Sequence, residues 1–264
     1  IFNAMTSKVT FNGSGNQTQP AAVFVPSFYD LIINKTGGTL SSRVWTVSND
    51  FQLIQGSFAP ESTSSFKNVL IAGGTFSCPS GSIGVSGTWT RNGGVFNPDS
   101  GTVIFNNAAA DQLINGSATA QAFNHLTINK GSRKLIYGGS ISQVTVGGTL
   151  AMTSGNIILG ATGILELGTA VSTPGDLNYT AGTIINGTSG GFKRWVAAST
   201  TSPLDFPVGT NDNPYKARIT FANNTGGSLT ARYDAGDPGS NSGFPLTENG
   251  LTIYDEGQYT EGSW

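Results

Sequence analysis

The sequence contains little that carries charge, binds a metal or forms a disulfide. Its 264 residues include one cysteine, one histidine, 13 Lys and Arg and 15 Asp and Glu, so 11% of the chain is charged, against about 25% in an ordinary soluble domain. The single cysteine, Cys78, excludes an internal disulfide framework and a multi-cysteine zinc site. We expect Cys78 to be a small buried residue at the end of a strand.

The few charges are also dispersed along the chain. The net charge is −2, and the basic residues form no stripe that would neutralise phosphates, so we expect no nucleic-acid binding. No apolar run approaches the roughly 18 residues of a membrane span, and no basic and apolar leader opens the chain. We therefore expect no membrane insertion and interpret Ile1 as a processed or observed start.

What the chain does contain is glycine, hydroxyl and amide residues, and short apolar bursts. Hydrophobic residues make up 37% of it, with 37 Gly and 15 Phe, which is too much apolar material for a disordered Gly-rich and Ser-rich segment. Few windows between Gly and Pro are long enough for an amphipathic helix, and none keeps helical periodicity. Apolar residues instead alternate with polar ones, which indicates strands. The alternating pairs are Val9 and Phe11, Leu31 and Ile33, Trp45 and Val47, Val69 and Ile71, Val103 and Phe105, Leu126 and Ile128, Val144 and Val146, Leu165 and Leu167, and Ile219 and Phe221.

The chain also repeats itself at a spacing of about 95 residues. Three blocks recur in the same order: 9–12 as 103–106, 28–35 as 123–130 and, more loosely, 46–56 as 145–155. A shorter pattern, Gly-Thr-apolar, begins at Gly38, Gly74, Gly87, Gly101, Gly148 and Gly182. We interpret its Gly as a backbone corner and its Thr and apolar residue as the start of the next strand.

These patterns predict an all-β fold, with a parallel β-solenoid or β-helix of short strands over residues 1–190. Such coils stack strand on strand, and each turn is stable only when its neighbours cover it. A β-sandwich is the competing architecture. From about Gly191 the repeats stop and eight of the 15 acidic residues lie from Asp205 onward, so we predict a smaller β-sandwich-like module over 191–264. This module is expected to be truncated.

At these residues the chain resembles the large secreted surface proteins of Bacteroidetes-type bacteria, which are exported by type IX secretion. The resemblance rests on the residues 101–106, 123–130 and 144–157, with Phe-Pro-Val-Gly-Thr and Ala-Gly-Asp-Pro-Gly in the tail, at 206–210 and 235–239. It implies an extracellular or cell-surface location, a much longer parent chain, and a role in adhesion, gliding or fibre formation. It supplies no catalytic residues, and the sorting domain expected at the C-terminus of such proteins is not recognisable.

The search for catalytic or ligand-binding residues yields weak candidates. His125 occupies a position held by Asp30 and Asn68 in related strands, which indicates a solvent-facing or corner position, and no second imidazole shares a metal with it. Solenoids also host polysaccharide lyases, and with turns of roughly 20 to 25 residues Asp30 and Asp50 would stack on one face. We interpret that stacking as chance.

Two further groups of residues have both a structural and a functional interpretation. Asp234, Asp237 and Asn241 lie at loop spacing that Ca²⁺ uses, but they lack the regular calcium-loop frame, and a tight turn explains them as well. Aromatic rings can form platforms for sugars, although burial in the core is the commoner role. The four tryptophans are Trp45, Trp89, Trp195 and Trp264.

The sequence thus predicts a structural or adhesive segment of a large extracellular bacterial surface protein or fibre, with no enzyme activity, catalytic residue, metal or cofactor. Its expected partners are itself or neighbouring repeats, through open solenoid ends, and surface glycans. The alternative is a carbohydrate-binding or polysaccharide-cleaving β-helix module.

Overall fold

A computed structural model describes residues 5–18, 26–42, 44–234 and the backbone of 262–263. Within these residues the chain is all-β without a helix, and parallel strands coil into a β-solenoid of about seven turns, so the predicted fold class is confirmed. The strands are β1 (Lys8–Gly13), β2 (Gln17–Thr18), β3 (Ser27–Phe28), β4 (Asp30–Ser42), β5 (Thr46–Pro60), β6 (Ser64–Ile71), β7 (Thr75–Ser77), β8 (Ser82–Val85), β9 (Trp89–Arg91), β10 (Val95–Asn97), β11 (Thr102–Phe105), β12 (Gln112–Asn115), β13 (Ala120–Phe123), β14 (His125–Tyr137), β15 (Gln143–Val146), β16 (Thr149–Ile158), β17 (Ile164–Leu167), β18 (Asp176–Tyr179), β19 (Ile184–Ile185), β20 (Gly191–Val196), β21 (Leu204–Phe206), β22 (Ala217–Ile219), β23 (Gly227–Ala231) and β24 (Gly262–Ser263).

The solenoid has three faces, which the chain visits in the order A, B and C. Face A consists of β1, 31–33 of β4, 51–53 of β5, 69–71 of β6, β9, β12, 134–137 of β14, 156–158 of β16 and β19. Face B consists of β2, 39–42 of β4, 57–60 of β5, β7, β10, β13, β15, β17 and β20. Face C consists of β3, 46–47 of β5, 64–66 of β6, β8, β11, 125–128 of β14, 149–152 of β16 and β18.

The alternation of apolar and polar residues decides which side chains point inward. Leu31 and Ile33 are completely buried, whereas Ile32 between them is partly exposed. Because side chains of a strand alternate between its two sides, one apolar residue in two is enough to fill the coil. The same pattern of burial recurs in strands such as β8 and β15.

The core changes in character along the coil. The early turns stack aromatic rings, and Phe76 has centroids of five other buried rings within 6.1 Å. The later turns stack aliphatic side chains, among them Leu150, Met152, Leu165 and Leu167. Each turn therefore covers the apolar side chains of the turn before it, as a solenoid requires.

The two copies of the sequence repeat lie on different faces. Val9 lies on face A, whereas its counterpart Val103 lies on face C. Leu31 and its counterpart Leu126 show the same shift from A to C, and Leu40 and Leu135 shift from B to A. The distance between the two copies therefore corresponds to four full turns and two further faces. Because the solenoid has three faces, a residue of the second copy lies on the face that precedes the one occupied by its counterpart in the first copy.

The change of character predicted near residue 190 falls at β20. This strand pairs in parallel with β17 on one side and antiparallel with β23 on the other, and β21 and β22 form a separate antiparallel pair. The completely buried ring of Phe206 lies 5.8 Å from that of Phe192. The described part of the tail thus shares a sheet and an apolar contact with the last turn of the solenoid.

One predicted strand is shorter than expected. The alternation of Ile219 and Phe221 predicts a strand through both residues, but β22 ends at Ile219. Its partner β21 has three residues, and Leu204, the first of them, pairs with Ile219. Phe221 therefore has no residue of β21 opposite it.

We expect Phe76→Ala to lower the free energy of unfolding by about 3 to 5 kcal/mol, because the change leaves a cavity among aromatic rings. Thr75→Ala, on the outward side of the same strand, is the matched control and should change stability by less than about 0.5 kcal/mol. Urea unfolding followed by circular dichroism measures both. A loss below about 1 kcal/mol for Phe76→Ala would contradict the packing described here.

Candidate functional site

Two buried lysines are the most unusual polar groups of the solenoid. Lys35 and Lys130 are counterparts in the sequence repeat, and their side chains are 1% and 0% exposed. The Lys35 Nζ donates hydrogen bonds to the Gly15 carbonyl at 2.7 Å and to Gln17 Oε1 at 2.8 Å. Each lysine bends inward at a corner and binds the turn that precedes it.

The Lys130 site reproduces this arrangement. Its Nζ donates to the carbonyls of Asn107 and Ala110, both at 3.0 Å, and to Gln112 Oε1 at 2.8 Å. An ammonium group has three N–H donors, and all three acceptors here are uncharged oxygens. Gln17 and Gln112 are themselves 95 residues apart, so the repeat preserves both partners of the contact.

A glycine of the following turn covers each lysine. A Cβ added to Gly56 would lie 2.7 Å from the Lys35 Cβ, and one added to Gly155 would lie 2.7 Å from the Lys130 Cβ. Both glycines also have a positive φ, of 87° and 91°, a conformation that costs other residues energy. Glycine is therefore required at both positions.

Acceptor side chains cap the same corners. The backbone N–H of Thr39 donates to Asn16 Oδ1, and that of Lys134 donates to Asp111 Oδ1, each at 2.9 Å. These residues are again 95 positions apart in the two copies. The recurring unit thus contains a lysine, a glutamine, a glycine and an Asn or Asp cap. Sequence analysis identified the lysines as repeated but assigned them no role.

Burial has an electrostatic consequence at Lys130. In the described residues no carboxylate lies within ion-pair distance of its Nζ. Removal from water disfavours the charged form and lowers the pKa of Lys130 to about 8, although the charge of Asp111 opposes this shift. A neutral amine is therefore accessible in mildly alkaline solution.

Asp30 and Asp50 stack on adjacent turns, 20 residues apart, although we interpreted this pair as chance. Asp30 Oδ1 accepts hydrogen bonds from the Asn49 side chain at 2.9 Å and from the Asp50 backbone N–H at 3.2 Å. Asp50 Oδ1 in turn accepts from the Asn68 side chain at 2.9 Å. The three residues form a ladder along one corner, which links turns and explains the stacking without catalysis.

His125 performs the same corner role in the second copy. Its Nδ1 accepts a hydrogen bond from the backbone N–H of Thr149 at 2.9 Å, just as Asn68 Oδ1 accepts from the N–H of Thr88 at 3.0 Å. The prediction of a corner position for Asp30, Asn68 and His125 agrees with these contacts.

Glu166 is the centre of the densest polar cluster. Its carboxylate accepts from the side chains of Gln143, Trp195 and Lys193 at 2.7 to 2.8 Å and from Thr145 at 3.3 Å. Burial alone would raise the pKa of Glu166, but the hydrogen bonds of Lys193 and Trp195 outweigh it and lower the pKa. The cluster joins three successive strands of face B, β15, β17 and β20, and favours the ionised form of Glu166.

The tryptophans differ in their surroundings. Trp45 and Trp89 are buried in the core, so neither ring is a sugar platform. Trp195 is partly exposed, and the Lys193 Nζ lies 4.9 Å from the centroid of its ring. Trp264 lies outside the described residues. The difference arises because Trp89 points into the coil, whereas Trp195 points outward between the buried residues Arg194 and Val196.

The remaining candidates are Cys78 and the acidic loop of the tail. Cys78 is buried directly after β7, as predicted, and burial together with the charge of Asp99 raises the pKa of its thiol to about 12. Asp237 and Asn241 lie outside the described residues. Among those that are described, no three His, Cys, Asp or Glu side chains converge as metal ligands.

No family model, curated protein or solved structure matches the chain. The described residues contain no helix that would cross a membrane.

We expect Gly155→Ala to lower the free energy of unfolding by at least about 1 to 3 kcal/mol, because the new Cβ is strained and meets the Lys130 stem. Gly227→Ala is the matched control, since its Cβ would meet nothing within 4 Å. Chemical unfolding of both variants measures the effect. Equal stability of the two variants would show that the cover over Lys130 is unnecessary.

The lowered pKa of Lys130 predicts a stability that depends on pH. Below about pH 8 Lys130 is protonated in both the folded and the unfolded state, so it does not make the free energy of unfolding depend on pH. Between about pH 8 and 10.5 the folded state has released the proton and the unfolded state retains it, so stability rises with pH.

The measurement compares urea midpoints of the parent and Lys130→Met from pH 7 to 10.5. Cys78 has a raised pKa and lowers stability above about pH 9 in both proteins, so its effect cancels in the difference. Above about pH 8 the urea midpoint of the parent should rise with pH relative to that of Lys130→Met. An identical pH dependence of the two proteins would contradict the assignment.

Proposed function

We propose that this chain is a stiff, non-catalytic segment of an extracellular bacterial surface protein or fibre. The observation that carries the proposal is the use of polar side chains between turns. Lys35, Lys130, Asp30, Asp50 and His125 each bind an adjacent turn. Side chains committed in this way link successive turns and stiffen a rod.

The composition supports the same function. The chain has few charges, and a coil that stacks like residues on like residues tolerates few of them because like charges repel. Its resemblance to secreted surface repeat proteins supports an extracellular location. Adhesion or assembly then depends on the outer faces and the ends of the rod.

Glycan binding is the second candidate function, and it has two supporting features. Trp195 is partly exposed beside the polar cluster of Glu166. An open depression between tail loops is lined by Ser199, Thr201, Asn223 and Asn224, among others, and such hydroxyl and amide groups suit sugar hydroxyls.

The proposal predicts where the protein lies on the cell. Antibodies against the chain should label intact cells of the bacterium that encodes it, and external protease should remove the signal. Labelling that requires permeabilised cells would contradict an extracellular role.

A glycan array and a reducing-sugar assay separate the structural from the carbohydrate functions. The proposal predicts no release of reducing ends from any polysaccharide. Binding on the array that is lost in Trp195→Ala would establish the second candidate, and release of reducing ends would overturn the non-catalytic assignment.

A further inference from the structure

A row of aliphatic side chains runs along the outer side of face A in the second half of the coil. It consists of Leu113, Ile136, Ile158 and Ile185, which are neighbours in register on successive turns. All four are partly exposed, whereas the residues that flank each of them in its strand are more polar or point inward. We call these four residues the aliphatic row.

The sequence repeat supplies an internal control for this row. The counterparts of Leu113, Ile136 and Ile158 in the first copy are Thr18, Ser41 and Ala59, which stack in register on face B. The small residues thus occupy outward positions that are structurally equivalent to those of the aliphatic ones.

The inward neighbours show that the fold does not require the aliphatic residues. In the first copy the inward stack is Gln17, Leu40 and Phe58, and in the second it is Gln112, Leu135 and Ile157. Both stacks consist of inward side chains from successive turns, and each begins with the glutamine that binds the buried lysine. Large outward side chains are therefore an addition in the second copy, and exposed apolar groups in line are typical of contact surfaces.

We infer that the aliphatic row is the centre of a contact between two copies of this chain, packed face A to face A. A partner must match a spacing of about 4.8 Å between side chains, and an identical row does so without adjustment. The row also contains no ionisable group, and the outward positions 10, 32, 52, 70 and 90 that precede it on face A are uncharged as well. Two other outward residues of face A, Lys8 and Lys134, are charged, so like-charge repulsion between two copies is confined to them and absent from the row itself.

The size of the face sets the expected affinity. Face A has nine strands, which at about 4.8 Å each give a length of roughly 40 Å, and a width of about 10 Å gives about 400 Å² on each copy. This is small for a protein interface. We therefore expect a weak dimer, with a Kd between about 10 µM and 1 mM. The inference does not depend on the proposed location at a cell surface.

The test replaces three of the four residues of the row by their counterparts from the first copy and leaves Ile185 unchanged. The variant Leu113→Thr, Ile136→Ser, Ile158→Ala should keep the fold, because the same residues are accommodated in the first copy. The matched control is Ile54→Ser, Val95→Thr, Ile104→Thr, which removes three exposed or partly exposed aliphatic residues outside the row. Circular dichroism and the urea midpoint establish that each variant is folded.

Sedimentation equilibrium from about 10 µM to 1 mM measures the association. The parent and the control variant should approach the dimer mass with rising concentration, and the row variant should remain a monomer. A parent that stays monomeric over this range, or a row variant that associates like the parent, would overturn the inference. Binding of a different protein to a monomeric parent would also overturn it.

Discussion

The in-register hydrogen bonding of each turn to the next is the constraint on which the rest of this structure depends. Parallel pairing places each paired residue about 4.8 Å from one in the following turn, so side chains in the core, at the corners and on the faces form rows. Apolar rows fill the coil, as the rings around Phe76 do. Polar rows at the corners must satisfy one another, as Asp30, Asp50 and Asn68 do. A charge in such a row needs a partner in the adjacent turn, which explains why few residues of the chain are charged.

The buried lysines show how a charge is accommodated under this constraint. Lys35 and Lys130 direct their ammonium groups towards carbonyl and amide oxygens of the preceding turn, and a glycine of the next turn leaves space for the stem. The unit recurs even though the two copies lie on different faces. The structure of a corner therefore depends on its local sequence and not on which two faces it joins. For this reason a repeat unit need not contain a whole number of turns, and here it spans four turns and two faces. Outward side chains of the strands do not take part in these corner contacts, which is why the counterparts Ser41 and Ile136 can differ.

Sequence alone predicted the strands and the coil because both follow from patterns within a few residues. The alternation of apolar residues predicted inward side chains on all three faces, such as Leu31, Val144 and Val103. The contacts of Asp30, Asn68 and His125 agree with the predicted solvent-facing or corner position. The contacts of Lys130 with Gln112, or of Glu166 with Trp195, span 18 and 29 residues. Such pairs depend on the length of every loop between them, so no local pattern identifies them. Trp89 is buried because its side chain points into the coil, whereas Trp195 points outward from β20. The strand β20 joins solenoid and tail because its two edges pair differently.

The most direct test of this account is NMR observation of the lysine ammonium groups near pH 6. The account predicts slowly exchanging Nζ protons for Lys35 and Lys130, because both groups are buried and hydrogen-bonded, together with through-space contacts to the amides of Gln17 and Gln112. The exposed Lys67 is the internal reference and should exchange too fast to be observed. Exchange at Lys35 and Lys130 as rapid as at Lys67 would contradict the stacking of turns through these corners.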